Sequence, residues 1–176
     1  MSRLYSLDTV FLFSQQRLGW LLLLLSALGL ELTALYFQYG MELDPCVLCI
    51  YQRVAVFGLM AAGMIGLIAP SAWIVRWLAM IAWGVAGVWG LLLAMRHAGI
   101  QFSETLDLSC SYFAEFPSWA KLDEWFPSVF LPTGFCGEIQ WSFLDLSMPQ
   151  WMVVLFSAYL VVLVTVLLSQ LPFVRR

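Results

Sequence analysis

Four long apolar runs constrain this chain more than any other feature. They extend from about Leu18 to Tyr39, Val47 to Ala69, Trp73 to Met95, and Gln150 to Gln170. A helix rising 1.5 Å per residue needs about 20 residues to cross roughly 30 Å of hydrocarbon, and every run is long enough. The chain is 62% apolar and 11% charged, against roughly 45–50% and about 25% in soluble domains. A soluble protein of 20.0 kDa has no interior large enough to hide four such helices. The expected fold is therefore all-α: an integral membrane four-helix bundle forming one unit over 1–176. Its outer loops are expected at about 40–45 and 96–149, the longer one bearing a short interfacial amphipathic helix. The first run is too long for a signal-peptide core and has no small-residue cleavage site, so it reads as a retained helix.

Charge sets the expected orientation. An even number of spans puts both termini on one side, with Arg3, Arg17, Arg76, Arg175 and Arg176. The other side carries Arg96 and Lys121. The positive-inside rule then places both termini in the cytoplasm. Glu42, Asp44, Glu104, Asp107, Glu115, Asp123, Glu124, Glu138 and Asp145 fall in the outer loops, which is consistent with that orientation. The net charge of −3 argues weakly against a nucleic-acid partner, its distribution matters more than its sum, and the lipid bilayer is the expected medium.

Smaller patterns refine this reading. Val10, Phe11 and Phe13 suit a short surface helix before the first span. Trp119, Leu122, Trp125, Phe126 and Val129 recur at three- and four-residue spacing, as an amphipathic segment lying at the headgroup boundary does. Pro127 limits its length. Gly58, Ala62 and Gly66, and Gly84, Gly87 and Gly90, form small-residue stripes that let membrane helices approach closely.

The four cysteines, Cys46, Cys49, Cys110 and Cys136, all fall on the outer side, where disulfides persist. Cys46 and Cys49 stand in P-C-V-L-C, where the second membrane helix begins. At a helix start, three-residue spacing lets two sulfurs meet, and the free amides and helix dipole favour a thiolate. Such a thiolate is both a nucleophile and a good leaving group in disulfide exchange. A zinc site and a structural bridge use the same motif. Zinc calls for a second pair or added histidines; Cys110 and Cys136 are widely separated and His97 is the single histidine. No metal site is expected. Structural bridges in the outer loops remain a rival.

Arg53 favours chemistry. It follows Cys49 by four residues and Cys46 by seven, on the same helix face, and charge inside a membrane helix is usually functional. It can snorkel to the surface, or stabilise a Cys49 thiolate or the carbonyl oxygen of an acceptor. Glu31 is a second intramembrane charge, able to pair with Arg53. Gln38 and His97 sit at outer helix ends, where polar residues commonly mark the interface, and either could hydrogen-bond an acceptor. The candidate acceptor-binding residues are Cys49, Arg53, His97 and Glu31.

L-E-L-T-A-L-Y-F-Q, P-C-V-L-C-I-Y-Q-R, the distant Cys110 and Cys136, and M-P-Q-W before the last helix resemble the DsbB family over nearly the whole chain. These are bacterial inner-membrane enzymes that reoxidise a periplasmic thioredoxin-like oxidase, DsbA, with quinone. The resemblance implies a quinone-dependent protein disulfide oxidoreductase using ubiquinone or menaquinone. Cys46 and Cys49 would be the quinone-linked pair, and Cys110 and Cys136 the loop pair that meets a DsbA-like partner. Cys110 would form the mixed disulfide, Cys136 would pass it to Cys46, and freed Cys49 would face the quinone near Arg53. The second loop would move between these tasks. Many members read C-V-L-C-x-Y-E-R; here Gln52 replaces the carboxylate beside Arg53. A DsbI-like group with a dedicated partner shares the core chemistry.

Three rivals explain less. A vitamin K epoxide reductase-like oxidase uses quinone and a C-x-x-C, but near its final helices. A membrane protein with two static disulfides leaves Arg53 without a task, and a small transporter or channel leaves the cysteines without one.

Overall fold

The apolar runs become helices whose ends lie within a few residues of the sequence expectation, with one extension that matters for the site. The structure, a computed structural model, describes residues 2–102 and 114–171, with side chains from Asp8 onward. Cys110, Glu104, Asp107, Arg175, Arg176 and the side chain of Arg3 lie outside the described residues. The order is α1 (Ser2–Ser14), α2 (Arg17–Tyr39), α3 (Val47–Ile68), α4 (Trp73–Phe102), α5 (Leu122–Trp125), α6 (Pro127–Phe130), β1 (Ser142–Phe143), β2 (Leu146–Ser147) and α7 (Met148–Gln170). Four of these, α2, α3, α4 and α7, are long and apolar enough to cross a membrane. The molecule is an all-α membrane bundle whose described residues include one two-stranded antiparallel hairpin.

Packing follows from small residues. α3 lies between α2 and α4, and α4 also packs on α7. Lipid tails are as apolar as leucine, so membrane helices associate through close fit rather than through escape from water. The predicted stripes provide that fit. A Cβ on Gly66 would fall 2.1 Å from the Trp20 ring, and one on Gly90 would fall 2.3 Å from Phe156. Trp20 in turn meets Trp83 edge to face, their centroids 6.3 Å apart. Trp20, Ala27, Ala55, Leu59, Ala62, Met80, Trp83 and Phe156 belong to the buried core.

The chain-terminal end is closed by polar side chains. α1 is the short helix expected before the first span, and it is anchored. Trp20 Nε1 donates to Ser14 O at 2.9 Å, and Gln170 Nε2 donates to Ser14 Oγ at 3.2 Å. Buried Arg76 donates to Gln170 Oε1 at 3.1 Å and to Pro70 O at 3.0 Å, with its guanidinium 5.7 Å from the Phe11 ring centre.

Two elements differ from expectation. The amphipathic segment is two one-turn helices rather than one helix over Trp119 to Val129. They meet at Phe126 (φ −134°, ψ 64°), because the following Pro127 lacks an N–H and disfavours helical geometry in the residue before it. Trp119, Trp125 and Phe126 are exposed, whereas Phe130 is buried. The second difference is α4, which runs to Phe102 instead of stopping near Met95. Nothing in R-H-A-G-I-Q-F breaks a helix. The extra turns carry His97 on the same buried face as Ala94 and Ile100.

Candidate active site

Cys46 occupies the N-cap of α3 with extended backbone (φ −81°, ψ 169°). Its sulfur does what a capping serine does: Cys49 N donates to Cys46 Sγ at 3.2 Å. This satisfies one of the unpaired amides at the helix start and draws Cys49 back over the cap. The two sulfurs are 2.8 Å apart, and both thiols are free. Cys46 is almost fully buried, while Cys49 is partly exposed. The hydrogen bond shared with Cys49, and then burial, push the Cys46 thiol well above its ordinary range.

Arg53 lies one turn below, with 6% of its surface exposed, so it does not snorkel. Its Nε stands 3.1 Å from Glu31 Oε1 in a buried ion pair. The pair is close but not aligned, since Glu31 Oε1 accepts no hydrogen bond. Arg53 Nη1 donates to Gln38 Oε1 at 2.9 Å and to Val129 O. Gln38 Nε2 donates to Ser128 O at 3.1 Å, and Tyr39 Oη donates to the same carbonyl. Arg53 thus joins α2 and α3 to the carbonyls of α6, fixing part of the long loop over the site.

His97, carried in by the extended α4, is buried. Its Nε2 lies 3.5 Å from Cys46 Sγ and 3.2 Å from Cys136 O. Its Nδ1 lies 3.2 Å from Gln52 Nε2. Gln52 is buried and turns toward α4 instead of standing beside Arg53.

Cys136 is fully buried and disulfide-bonded, and its partner is neither Cys46 nor Cys49, both of which are free. Cys110 is not among the described residues. The loop bearing Cys136 is held to the loop before Cys46. Thr133 N and Gly134 N donate to Pro45 O at 2.9 and 3.1 Å, and Thr133 Oγ1 donates to Asp44 Oδ1 at 2.8 Å. A Cβ on Gly134 would lie 2.2 Å from Asp44 O, so only glycine permits this approach. Cysteines distant in sequence are thereby brought to one ring nitrogen, His97 Nε2, which meets the Cys46 sulfur and the Cys136 carbonyl.

A cavity of about 100 Å³ opens beside the thiols, lined by Cys46, Cys49, Arg53, His97, Gln38 and Trp141, among others. Gln101 also lines it, and its buried Oε1 has no partner. Glu31 is outside the lining, behind Arg53. Of the residues expected at the site, Cys46, Cys49, Arg53 and His97 share this cavity, and Cys136 lies against it through His97. The contributions of Gln52, Gly134 and the Ser128 and Val129 carbonyls were not foreseen. Gln52 alone had a sequence signal, being three residues after Cys49 on the same helix. The others depend on where the loop lands.

Chemically, two thiols in contact at a helix start, beside a buried cation and a buried imidazole, can exchange between dithiol and disulfide. The site agrees with what the chain is similar to. The family model described as "Disulfide bond formation protein DsbB" matches residues 16–166. Disulfide bond formation protein B of Shewanella denitrificans is 54% identical over 147 residues, 84% of each chain. The protein of the same name from Aeromonas salmonicida is 50% identical over 155 residues, 88% of this chain and 90% of that one.

Proposed function

Because the chain belongs to the DsbB disulfide bond formation family, we propose that it is a quinone-dependent thiol oxidase of the bacterial inner membrane that supplies disulfides to a DsbA-like periplasmic oxidase. The observation that carries this reading is the meeting of the Cys46–Cys49 pair, Arg53 and the Cys136 loop around one cavity. Both termini lie in the cytoplasm, and the cysteines face the periplasm. Exposed Trp119, Trp125 and Phe126 suit a segment resting at the membrane surface.

The chemistry of the cavity walls suits an acceptor of quinone type. Its walls combine an aromatic ring, Trp141, with hydrogen-bonding groups on Gln38 and Arg53, next to the Cys49 sulfur. Cys49 and Arg53 are the residues that would hold it, and ubiquinone or menaquinone, when bound, takes up two electrons and two protons. Glu31 positions Arg53 rather than touching the acceptor.

The relay begins with Cys46–Cys49 and Cys110–Cys136 both oxidised. A thiolate of the reduced partner attacks Cys110 Sγ, breaking the loop disulfide and expelling Cys136 as thiolate. Cys136 attacks Cys46 Sγ, forming a Cys46–Cys136 bond and expelling Cys49 as thiolate. The partner's second thiolate resolves the mixed disulfide and leaves oxidised. Cys110, released by that step, attacks Cys136 Sγ, restoring the loop disulfide and expelling Cys46 as thiolate. Each exchange conserves electrons, and re-forming the Cys46–Cys49 bond would release the two electrons gained from the partner, through Cys49, to the bound acceptor. His97, between Cys46 Sγ and Cys136 O, is placed to hold a proton while these sulfurs exchange.

The test is thiol counting. Fully reduced protein, freed of reductant and oxygen, is given ubiquinone, and free thiols are followed by alkylation mass shift. Loss of thiols with stoichiometric quinol, abolished in Cys49→Ser, is expected. Thiols that persist in the wild type would overturn the reading in favour of a membrane protein with static disulfides.

A further inference from the structure

Read from sequence, the ligands for a metal are too few: one C-x-x-C, and a histidine many residues away. The extension of α4 changes this. A ring nitrogen of His97 and the sulfurs of Cys46 and Cys49 all lie within 4.8 Å of one another. We propose that Cys46, Cys49 and His97 form a redox-gated site for a thiophilic divalent cation, Zn2+ being the ion that fits.

The geometry is close to what zinc needs. Bond lengths of about 2.3 Å to sulfur and 2.0–2.1 Å to nitrogen place tetrahedral S and N ligands about 3.6 Å apart, and two S ligands about 3.8 Å apart. Cys46 Sγ and His97 Nε2 are 3.5 Å apart. The two sulfurs, at 2.8 Å, must open by about 1 Å to reach that spacing. Cys49, the less buried of the two, can supply this by side-chain rotation while Cys46 keeps its place beside His97. The three ligands line the same cavity as Gln101, whose buried Oε1 has no hydrogen-bond partner and offers an acceptor to a metal-bound water in the fourth position. Three protein ligands with one open position is a recognised zinc arrangement.

Gln52 is suited to the outer shell of such a site. Nε2 of His97 can bind metal only if Nδ1 carries the proton, and an outer partner of Nδ1 fixes that tautomer. Gln52 already contacts Nδ1. In the metal-free site Nε2 donates to Cys136 O. Binding metal exchanges that hydrogen bond for the ion and moves the proton to Nδ1, where turning the Gln52 amide presents Oε1 as the acceptor.

Gating follows from the chemistry of sulfur. The dithiol reacts as two thiols plus Zn2+ giving a zinc dithiolate and two protons, whereas the disulfide has no thiolate to offer. Zinc exchanges no electrons, so while bound it holds both sulfurs out of oxidation. The site requires only that the pair be reduced, whichever acceptor it serves, and it stands or falls separately from the quinone reading.

Full-length protein in detergent, reduced and then freed of reductant under anaerobic conditions, is titrated with Co2+. A thiolate-to-cobalt charge-transfer band with tetrahedral d–d bands is expected, bleached by one equivalent of Zn2+. The bands should remain in a Cys110→Ser/Cys136→Ser protein, weaken roughly tenfold or more in affinity in His97→Ala, and be missing when Cys46 and Cys49 are oxidised. Zn2+ should also shield His97, the single histidine, from diethyl pyrocarbonate in the reduced wild type, an arm that needs no variant. Absence of the bands in reduced protein, their loss in the Cys110→Ser/Cys136→Ser protein, bands unchanged in His97→Ala or after oxidation, or no shielding of His97, would each overturn the proposal.

Discussion

The two ends of the bundle each bury an arginine, and they use it differently. Arg76, at the end where α1 and α7 meet, donates to Gln170 and to the Pro70 carbonyl and lies against Phe11. It seals helix ends to one another. Arg53, at the cysteine end, is paired with Glu31, Gln38 and the Val129 carbonyl, yet it still lines a cavity with two thiols. A buried cation enclosed by its own helix ends serves packing. One held at a cavity wall is available to a ligand, and its buried counter-charge keeps it in place. Substitutions at the cysteine end should therefore act on electron flow, and those at the other end on stability.

The largest expected effect is at Cys49. Cys49→Ser should reduce quinone-linked thiol oxidation to background with little change in thermal unfolding in detergent; substantial residual turnover would break the comparison at its centre. Next is Arg53→Ala. It removes a cationic donor from the cavity, costing roughly 10²-fold in acceptor-linked turnover. It also strands Glu31, destabilising by about 3–5 kcal/mol. The double replacement of Arg53 and Glu31 by apolar residues of similar volume should restore stability without restoring turnover, which separates the two roles.

Glycines allow the comparison to be made at matched cost. Gly66→Ala drives a methyl into Trp20, and Gly134→Ala drives one into the Asp44 carbonyl. Each overpacking should cost about 1–3 kcal/mol. Only Gly134→Ala should slow transfer from the loop disulfide to Cys46, read by trapping the interloop species. Equal kinetics in the two variants would mean that the docked loop is not part of the relay. Arg76→Ala removes the guanidinium that donates to Gln170 Oε1 and to the Pro70 carbonyl. It should cost about 1–3 kcal/mol at unchanged turnover per folded molecule. The smallest effect belongs to Tyr159→Phe, which removes the 2.9 Å hydrogen bond to Ser26 between α7 and α2. Membrane side-chain bonds average about 0.6 kcal/mol, so a modest drop in midpoint and no kinetic change are expected.

Much of this could be read from residue order. Apolar length defines α2, α3, α4 and α7 because the hydrocarbon thickness and helix rise leave no other way to satisfy the backbone. Local spacing places Cys46, Cys49 and Arg53 on one face of α3, since the 3.6-residue repeat fixes side-chain direction. The small-residue stripes mark where helices close on one another, although not which bulky residue fills each gap. Gly66 meets Trp20 and Gly90 meets Phe156, pairings between helices that spacing along one helix does not contain.

The tertiary structure decided the rest, and the reason in each case is long-range. His97 belongs to the site because α4 continues past the hydrocarbon limit and packs beside the start of α3, so that Cys46, Gln52 and Cys136 converge on one ring. Glu31 is the partner of Arg53 because α2 lies against α3 at that depth. The Cys136 loop reaches Cys46 through Thr133, Gly134 and Pro45, contacts between residues almost ninety positions apart. Sequence periodicity determined what each helix presents. Which helices and loops face each other depended on shape and hydrogen bonding across the whole molecule, and that pairing is what turned separate cysteines into a single site.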